Sequence, residues 1–172
     1  DLYLAIAINA GEIPASLLPQ IVDTNSNGLV DFYDLNSLDS HGVVVLDVGG
    51  NLFNETLTSD TNLNGFIDAE DLRVPAWMDG VDGDSNGYLE ALTGWDSLNN
   101  NNDPMDQYFH GTHAAGILAA QGDNGIGITG VNWRTQVLPE RFWDTTGGSA
   151  ANAIAAIDHA VLLGADVINA SW

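Results

Sequence analysis

The sequence predicts an α/β fold: part of a parallel sheet with helices on both faces, in three layers, interrupted by a loop insertion rich in oxygen side chains. Three observations predict it. Val137 to Phe142 reads as a strand, Ala150 to Leu163 as a helix, and Ala165 to Ser171 as a strand again. That order is what a right-handed parallel crossover requires. A second small-residue helix, Ala114 to Ala120, is headed by His110. Upstream of it, Asp–Asn–Gly loops recur three times.

In chain order, Pro14 and Pro19 punctuate the approach to the first loop, so no long helix precedes it. Asp23, Asn25, Asn27, Asp31 and Asp34 stand at loop positions 1, 3, 5, 9 and 12, with Gly28 at position 6. Asp60, Asn62, Asn64, Asp68 and Asp71 repeat that spacing around Gly65. Such spacing wraps a hard cation in oxygens. The main-chain carbonyls of Leu29 and Phe66 supply position 7, and the glycine permits the sharp turn. Asp82, Asp84, Asn86, Tyr88 and Glu90 begin a third loop around Gly87, but Thr93 at position 12 is not a carboxylate. Its cage must be closed from elsewhere, and Asp96 is the candidate. One Asp–Asn–Gly run is ordinary turn chemistry. Two complete repeats and a partial third point to Ca²⁺. Lacking long amphipathic helices on either side, the loops read as structural clips and not as switching helix pairs. Between the first two, Val43 to Leu57 reads as a β-hairpin around Gly49, Gly50 and Asn51.

His110, Gly111 and Thr112 suit a helix start, and Ala114, Ala115, Ile117, Leu118, Ala119 and Ala120 continue it with good helix formers. Gly116 is poor in mid-helix, which predicts close packing against another element. A histidine at such a start is a good general base, given a nucleophile and an orienting carboxylate. His113, one turn on, is expected to be buried and hydrogen-bonded.

Composition narrows the classes. Across 172 residues, 24 carboxylates face three arginines and no lysine, for a net charge of −21. That balance argues against nucleic acid and anionic membranes, and suits bound cations. No apolar run has the length of a membrane span, and residue 1 does not open a signal peptide. The absence of cysteine removes disulfides and metal thiolates.

His110-Gly111-Thr112-His113-Ala114-Ala115-Gly116 resembles the histidine motif of the subtilisin-like serine peptidases, in which the first histidine is catalytic. The likeness continues in order. Gly94 to Asp106 resembles the run leading into that histidine, Asn124 to Val131 the calcium loop after its helix, and Val137 to Phe142 the next core strand. Gly147, Gly148 and Ser149 stand at the place of the substrate-edge loop, and Ser171 on the strand lining the cleft. The likeness is dense from Gly80 to Trp172, looser from Asp1 to Pro14 and weakest from Ser37 to Ser59. Two local departures stand out: Gln107-Tyr108-Phe109 replaces a common Asp-Asn-Gly, and Ala91 a second acidic residue.

The resemblance implies a subtilisin-like fold with residues 1–172 forming a piece of one peptidase domain: a calcium-loop insertion over 15–79 and a core over 80–172. It implies a secreted, monomeric endopeptidase with polypeptide substrates held along Gly147, Gly148, Ser149 and Ser171. It also implies a further Ca²⁺ site joining Asp1 and Asn124 to carbonyls near Gly122, Ile126 and Ile128. The family's triad runs Asp, His, Ser. Asp47 imitates the aspartate strand, but Val48 interrupts its motif and Asp47 follows a stretch that should come after it. The aspartate is therefore expected upstream of Asp1, and the serine beyond Trp172. Two other classes compete. A calcium-dependent binding module rests on the repeated loops, which also resemble dockerin repeats. An inactive peptidase-like structural domain rests on Tyr108-Phe109.

Overall fold

In the computed structural model, residues 2–36, 60–64 and 66–171 are described. Parallel pairing around Val137 to Arg141 ties three distant stretches together. The Val137 N–H donates to Ala5 O at 2.6 Å, and Val137 O accepts from Ala7 N at 2.9 Å. Further along, β1 (Trp95–Asp96) pairs parallel with β2 (Glu140–Arg141), with Trp95 opposite Glu140 and Asp96 opposite Arg141. Asn9 N donates to Leu92 O at 2.8 Å, joining the N-terminal stretch to the chain that enters β1. Gly94 makes the approach possible. Its φ of 118° lies in the region that favours glycine, and a Cβ there would collide with the Pro139 carbonyl.

A two-residue-per-strand hairpin follows, β3 (Trp143–Asp144) against β4 (Gly147–Gly148), antiparallel. It delivers the chain into α3 (Ala150–Leu162). Ser149 caps that helix, its hydroxyl accepting from Asn152 N at 3.2 Å while Asn152 Oδ1 accepts from Ser149 N at 3.1 Å. This reciprocal capping box uses asparagine where glutamate or glutamine is usual. Ala153, Ala156, His159 and Ala160 form the buried stripe of α3. The helix stops at Gly164, φ 82°, with Ala165 N reaching back to Ala160 O at 3.0 Å.

The apolar core lies largely in the segment read as an insertion. Phe32 and Leu35 of α1 (Phe32–Asn36), together with Ile67, Leu72 and Trp77, pack with Leu4, Ile13 and Leu92. Burying each large side chain contributes about 1.5–3 kcal/mol. The loops therefore do more than decorate the sheet. Asn36 sews the first two together: Ile67 N donates to Asn36 Oδ1 at 2.7 Å, and Asn36 Nδ2 donates to Ile67 O at 2.8 Å and Phe32 O at 2.7 Å.

One predicted element is not formed. Residues 165–171 carry no strand, and Val167 and Ile168 are 85% and 44% exposed. A strand exists only where a neighbouring backbone pairs with it, and no described segment lies beside this one. The helix of the expected crossover is present, and its second strand is not. The Val43 to Leu57 hairpin, Asp47 included, lies outside the described residues.

Candidate functional site

His110 is the first residue of α2 (His110–Ala119) and is exposed to solvent. The residue before it, Phe109, is left-handed (φ 75°) and offers no side-chain cap. Asp106 supplies the missing acceptor. Its Oδ2 accepts from Thr112 N at 2.7 Å and its Oδ1 from Tyr108 N at 2.8 Å, pinning the turn that carries His110. Burial works against the Asp106 charge, but these N–H donors outweigh it and hold the carboxyl below its usual range. Phe109 thus changes the approach to His110 without displacing the helix start. His113 is exposed, contrary to expectation, because the face of α2 that is buried carries Gly116 and Ala119 instead.

Those residues pack under the loop that follows. A Cβ on Gly116 would touch Ile128 Cδ1 at 3.8 Å, as the mid-helix glycine predicted. Gly130, Val131 and Asn132 donate their N–H groups to the carbonyls of Ala120, Ile117 and Leu118 at 2.8, 2.9 and 3.0 Å, satisfying the open C-terminal end of α2. Asn124 begins this loop, with Oδ1 accepting from Ile126 N at 3.0 Å. Asp1, its expected calcium partner, lies outside the described residues.

Arg141 connects the histidine turn to the predicted substrate edge. Its guanidinium donates to Asp96 Oδ2 at 3.0 Å, Gln107 Oε1 at 3.4 Å and Asp144 Oδ2 at 3.5 Å. The Arg141 and Asp96 side chains are 9% and 1% exposed, so removing either leaves a buried charge uncompensated. Asp96 is therefore engaged here and does not close the third loop. At the hairpin, Gly147 adopts φ 114°, and a Cβ on Gly148 would collide with the Phe142 carbonyl. The Ser149 hydroxyl belongs to the cap of α3. Ser171 accepts from Asn169 Nδ2 at 2.6 Å in the unpaired tail.

The three acidic loops have one backbone feature in common. Position 4 is left-handed in each, at Ser26, Leu63 and Ser85 (φ 57°, 59° and 59°), and Gly28 and Gly87 at position 6 are left-handed too. In the first, Asp23 accepts from Asn27 N and Gly28 N, and Asn27 Oδ1 from Leu29 N. Asp60 accepts from Asn64 N and Asn64 Oδ1 from Phe66 N in the second. Asp34 and Asp71 at position 12 clasp the loops shut. Asp34 accepts from Thr24 N at 2.7 Å and Asp31 N at 3.2 Å. Asp71 accepts from Thr61 N at 2.6 Å and Asp68 N at 2.9 Å. The position-9 carboxylates Asp31 and Asp68 receive amide N–H bonds from Asn25, Asn27, Asn62 and Asn64. The side chains converging on both loops are hard oxygen donors, and a turn of each amide presents Oδ1 in place of Nδ2. That donor set fits Ca²⁺.

In the third loop Asp82 accepts from Asn86 N and Gly87 N, and Asn86 Oδ1 from Tyr88 N. Glu90 turns back to accept from Gly80 N. The closing carboxylate is Glu12, some seventy residues upstream. It accepts from Glu90 N at 2.8 Å and Asp84 N at 3.4 Å. Oxygens of Glu12, Asp82 and Asp84 lie within 4.8 Å of one another. Glu12 is 4% exposed, and burial, then the neighbouring Asp84 carboxylate, push it up to about 7. Gly11 and Gly83 permit the contact, since a Cβ on Gly83 would collide with Gly11 O. Sequence spacing carries no signal for Glu12, Asp106 or Arg141, because each acts across a distance that only the fold closes.

A parallel strand pair with α3 packed on it, beside a helix headed by a histidine, is an α/β arrangement. The chain belongs to the subtilase family of peptidases, whose family model matches residues 23–172. It is 38% identical over 117 residues to the cell wall-associated protease of Bacillus subtilis, covering 67% of this chain and 13% of that protein. It is 39% identical over 94 residues to subtilisin-like protease 1 of Plasmodium vivax, covering 54% and 15%. Thermitase of Thermoactinomyces vulgaris is 39% identical over 83 residues, covering 48% and 30%. The chain thus spans less than a third of the length of these relatives. No helix among the described residues is long and apolar enough to cross a membrane.

Asp106 yields a first expected outcome. Its folded value is depressed, so its stabilisation is complete above the ordinary aspartate value of about 4 and is lost as pH falls below it. Asp106→Ala should cost about 1 kcal/mol, the usual worth of a helix cap. The cost should be visible by urea unfolding at pH 7 and shrink at pH 3. An unchanged midpoint at pH 7 would remove the capping role.

Proposed function

We propose that this chain is the histidine-bearing part of a secreted, calcium-stabilised serine endopeptidase that acts on polypeptides. The observation carrying this is His110, exposed at the head of α2 within the family's motif, in a chain of the subtilase family. His110 takes the proton from a serine hydroxyl as that oxygen attacks the scissile carbonyl, then gives it to the leaving amine. A carboxylate holds the imidazole tautomer. Aspartate and serine both come from outside residues 1–172, since no serine here stands in a Gly-Thr-Ser-Met-Ala-like context and Asp47 lacks the aspartate motif.

Gly147, Gly148 and Ser149 offer backbone groups to an extended substrate, with Ser171 opposite on a strand that pairs in the complete domain. The domain is organised as an insertion over 15–79 and a core over 80–172, and works as a monomer. Bound Ca²⁺ supplies rigidity and no bond chemistry. Asp23, Asn25, Asn27, Leu29, Asp31 and Asp34 hold one ion, and Asp60, Asn62, Asn64, Phe66, Asp68 and Asp71 a second. Asp82, Asp84, Asn86, the Tyr88 carbonyl and Glu90 hold a third, which Glu12 closes. Asp1 and Asn124 contribute to a fourth.

Casein hydrolysis tests the reading. The full-length protein should cleave casein, and the 172-residue chain alone should leave it intact. Cleavage by the chain alone, abolished by His110→Ala, would show that the triad is complete within it.

A further inference from the structure

We propose that the buried Glu140–His159 pair, roofed by the Tyr88 ring, clamps the base of the β3–β4 hairpin and makes substrate binding there respond to the third acidic loop. The inference rests on the peptidase reading of His110 and on the third Ca²⁺ site, and names the residues that link them. His159 is fully buried in α3, and its Nδ1 lies 2.7 Å from Glu140 Oε1 on β2. Among the described residues, His159 Nε2 and Glu140 Oε2 meet no hydrogen-bond partner. The Tyr88 ring lies over the imidazole at 4.3 Å between centroids with a 49° tilt, and Trp95 meets Tyr88 edge-on at 5.2 Å.

Stability does not explain the pair. A buried polar couple with two unmet atoms holds a fold no better than apolar side chains of the same shape. What it supplies is a fixed distance. The hairpin of Gly147 and Gly148 lies between Glu140 and His159 in the chain, so their bond closes the stem of the segment that would hold an extended substrate. On the β2 side, Arg141 adds its bonds to Asp96 and to Asp144 of β3. Tyr88 stands at position 7 of the third loop, where the ligand is the main-chain carbonyl, which leaves the ring free for the pair. With the loop filled, that carbonyl is fixed and the ring keeps water from His159 Nε2 and Glu140 Oε2. With the loop empty, the carboxylates of Glu12, Asp82 and Asp84 repel one another within 4.8 Å, the loop opens, and water competes for the pair. Two arrangements of one buried contact thus connect two separate sites.

The experiment is a double-mutant cycle in the full-length enzyme at saturating Ca²⁺, read by calorimetry, by amide hydrogen exchange of residues 143–148 and by hydrolysis of a fluorogenic peptide. Asp82→Ala should remove one bound ion. It should also speed exchange in 143–148 and raise KM, each by about 5-fold or more, and raise KM by more than it lowers kcat. Tyr88→Leu should keep that ion and show the same two changes, and the double variant should show no more than either alone. Glu140→Gln keeps a bond to His159 Nδ1 and should match wild type, whereas Glu140→Leu should raise KM and exchange together. Glu140→Leu leaves the loop untouched, so the test stands even where an emptied loop unfolds. A merely structural role would lower the thermal midpoint without separating KM from kcat. Unchanged exchange in Tyr88→Leu and Glu140→Leu, additive effects in the double variant, or an unchanged ion count in Asp82→Ala would overturn the proposal. Absence of peptide hydrolysis in the wild type defeats the peptidase reading instead, and the exchange of 143–148 then still decides the clamp.

Discussion

His110→Ala in the full-length enzyme is expected to lower kcat by a factor on the order of 10⁴ or more. That factor corresponds to about 5.5 kcal/mol of lost transition-state stabilisation. The size follows from the double role proposed for the imidazole, removing the serine proton in one step and protonating the leaving amine in the next. Without it, serine must attack as a neutral hydroxyl and the amine must leave as an anion. The substitution should leave the fold intact. The imidazole is exposed, and alanine is a better helix former than histidine at the head of α2. Circular dichroism and the thermal midpoint should therefore match wild type while casein and peptide assays fall to background. A loss of less than 10-fold would remove His110 from the chemistry.

Removal of calcium is expected to have the largest effect on stability. The first two loops place Asp23, Asp31, Asp60 and Asp68 around their own centres and supply Phe32, Leu35, Ile67 and Leu72 to the core. Their carboxylates are not matched by basic groups: the whole chain has three arginines against 24 acids. A site saturated at 100 times its dissociation constant contributes about 2.7 kcal/mol. Two such sites amount to roughly 5 kcal/mol, or about 10–20 °C in thermal midpoint for a domain of this size. Calorimetric titration into chelator-stripped protein should find at least two ions per chain. Asp60→Ala should remove one and leave the others, because Asp60 belongs to the second loop alone. Fewer than two bound ions would refute the repeat reading.

Local signals in the sequence carried the local structure. The run Ala150 to Leu163 reads as a helix, and the observed limits are Ala150–Leu162. Gly116 in mid-helix foretold the packing of the 124–131 loop. The oxygen spacing of the acidic loops repeats in the sequence, but it carried no signal for the left-handed residue at position 4. What was not legible depends on tertiary closure. Glu12 reaches the third loop only because Gly11 and Gly83 let two segments touch. Arg141 gathers Asp96, Gln107 and Asp144 through the β1–β2 register. Residues 165–171 have the composition of a strand, but composition cannot supply the neighbour that a strand needs, and Val167 stays 85% exposed.

The most direct measurement of the central claim is the rate at which a serine-directed fluorophosphonate labels the full-length protein. His110 acting as the base of a serine nucleophile predicts one label per molecule in the wild type, on a serine outside residues 1–172. Labelling of His110→Ala should be slower by several orders of magnitude, in line with the loss of the triad base. Labelling of His110→Ala at the wild-type rate, or no labelling of a calcium-loaded wild type that is folded, would contradict the account.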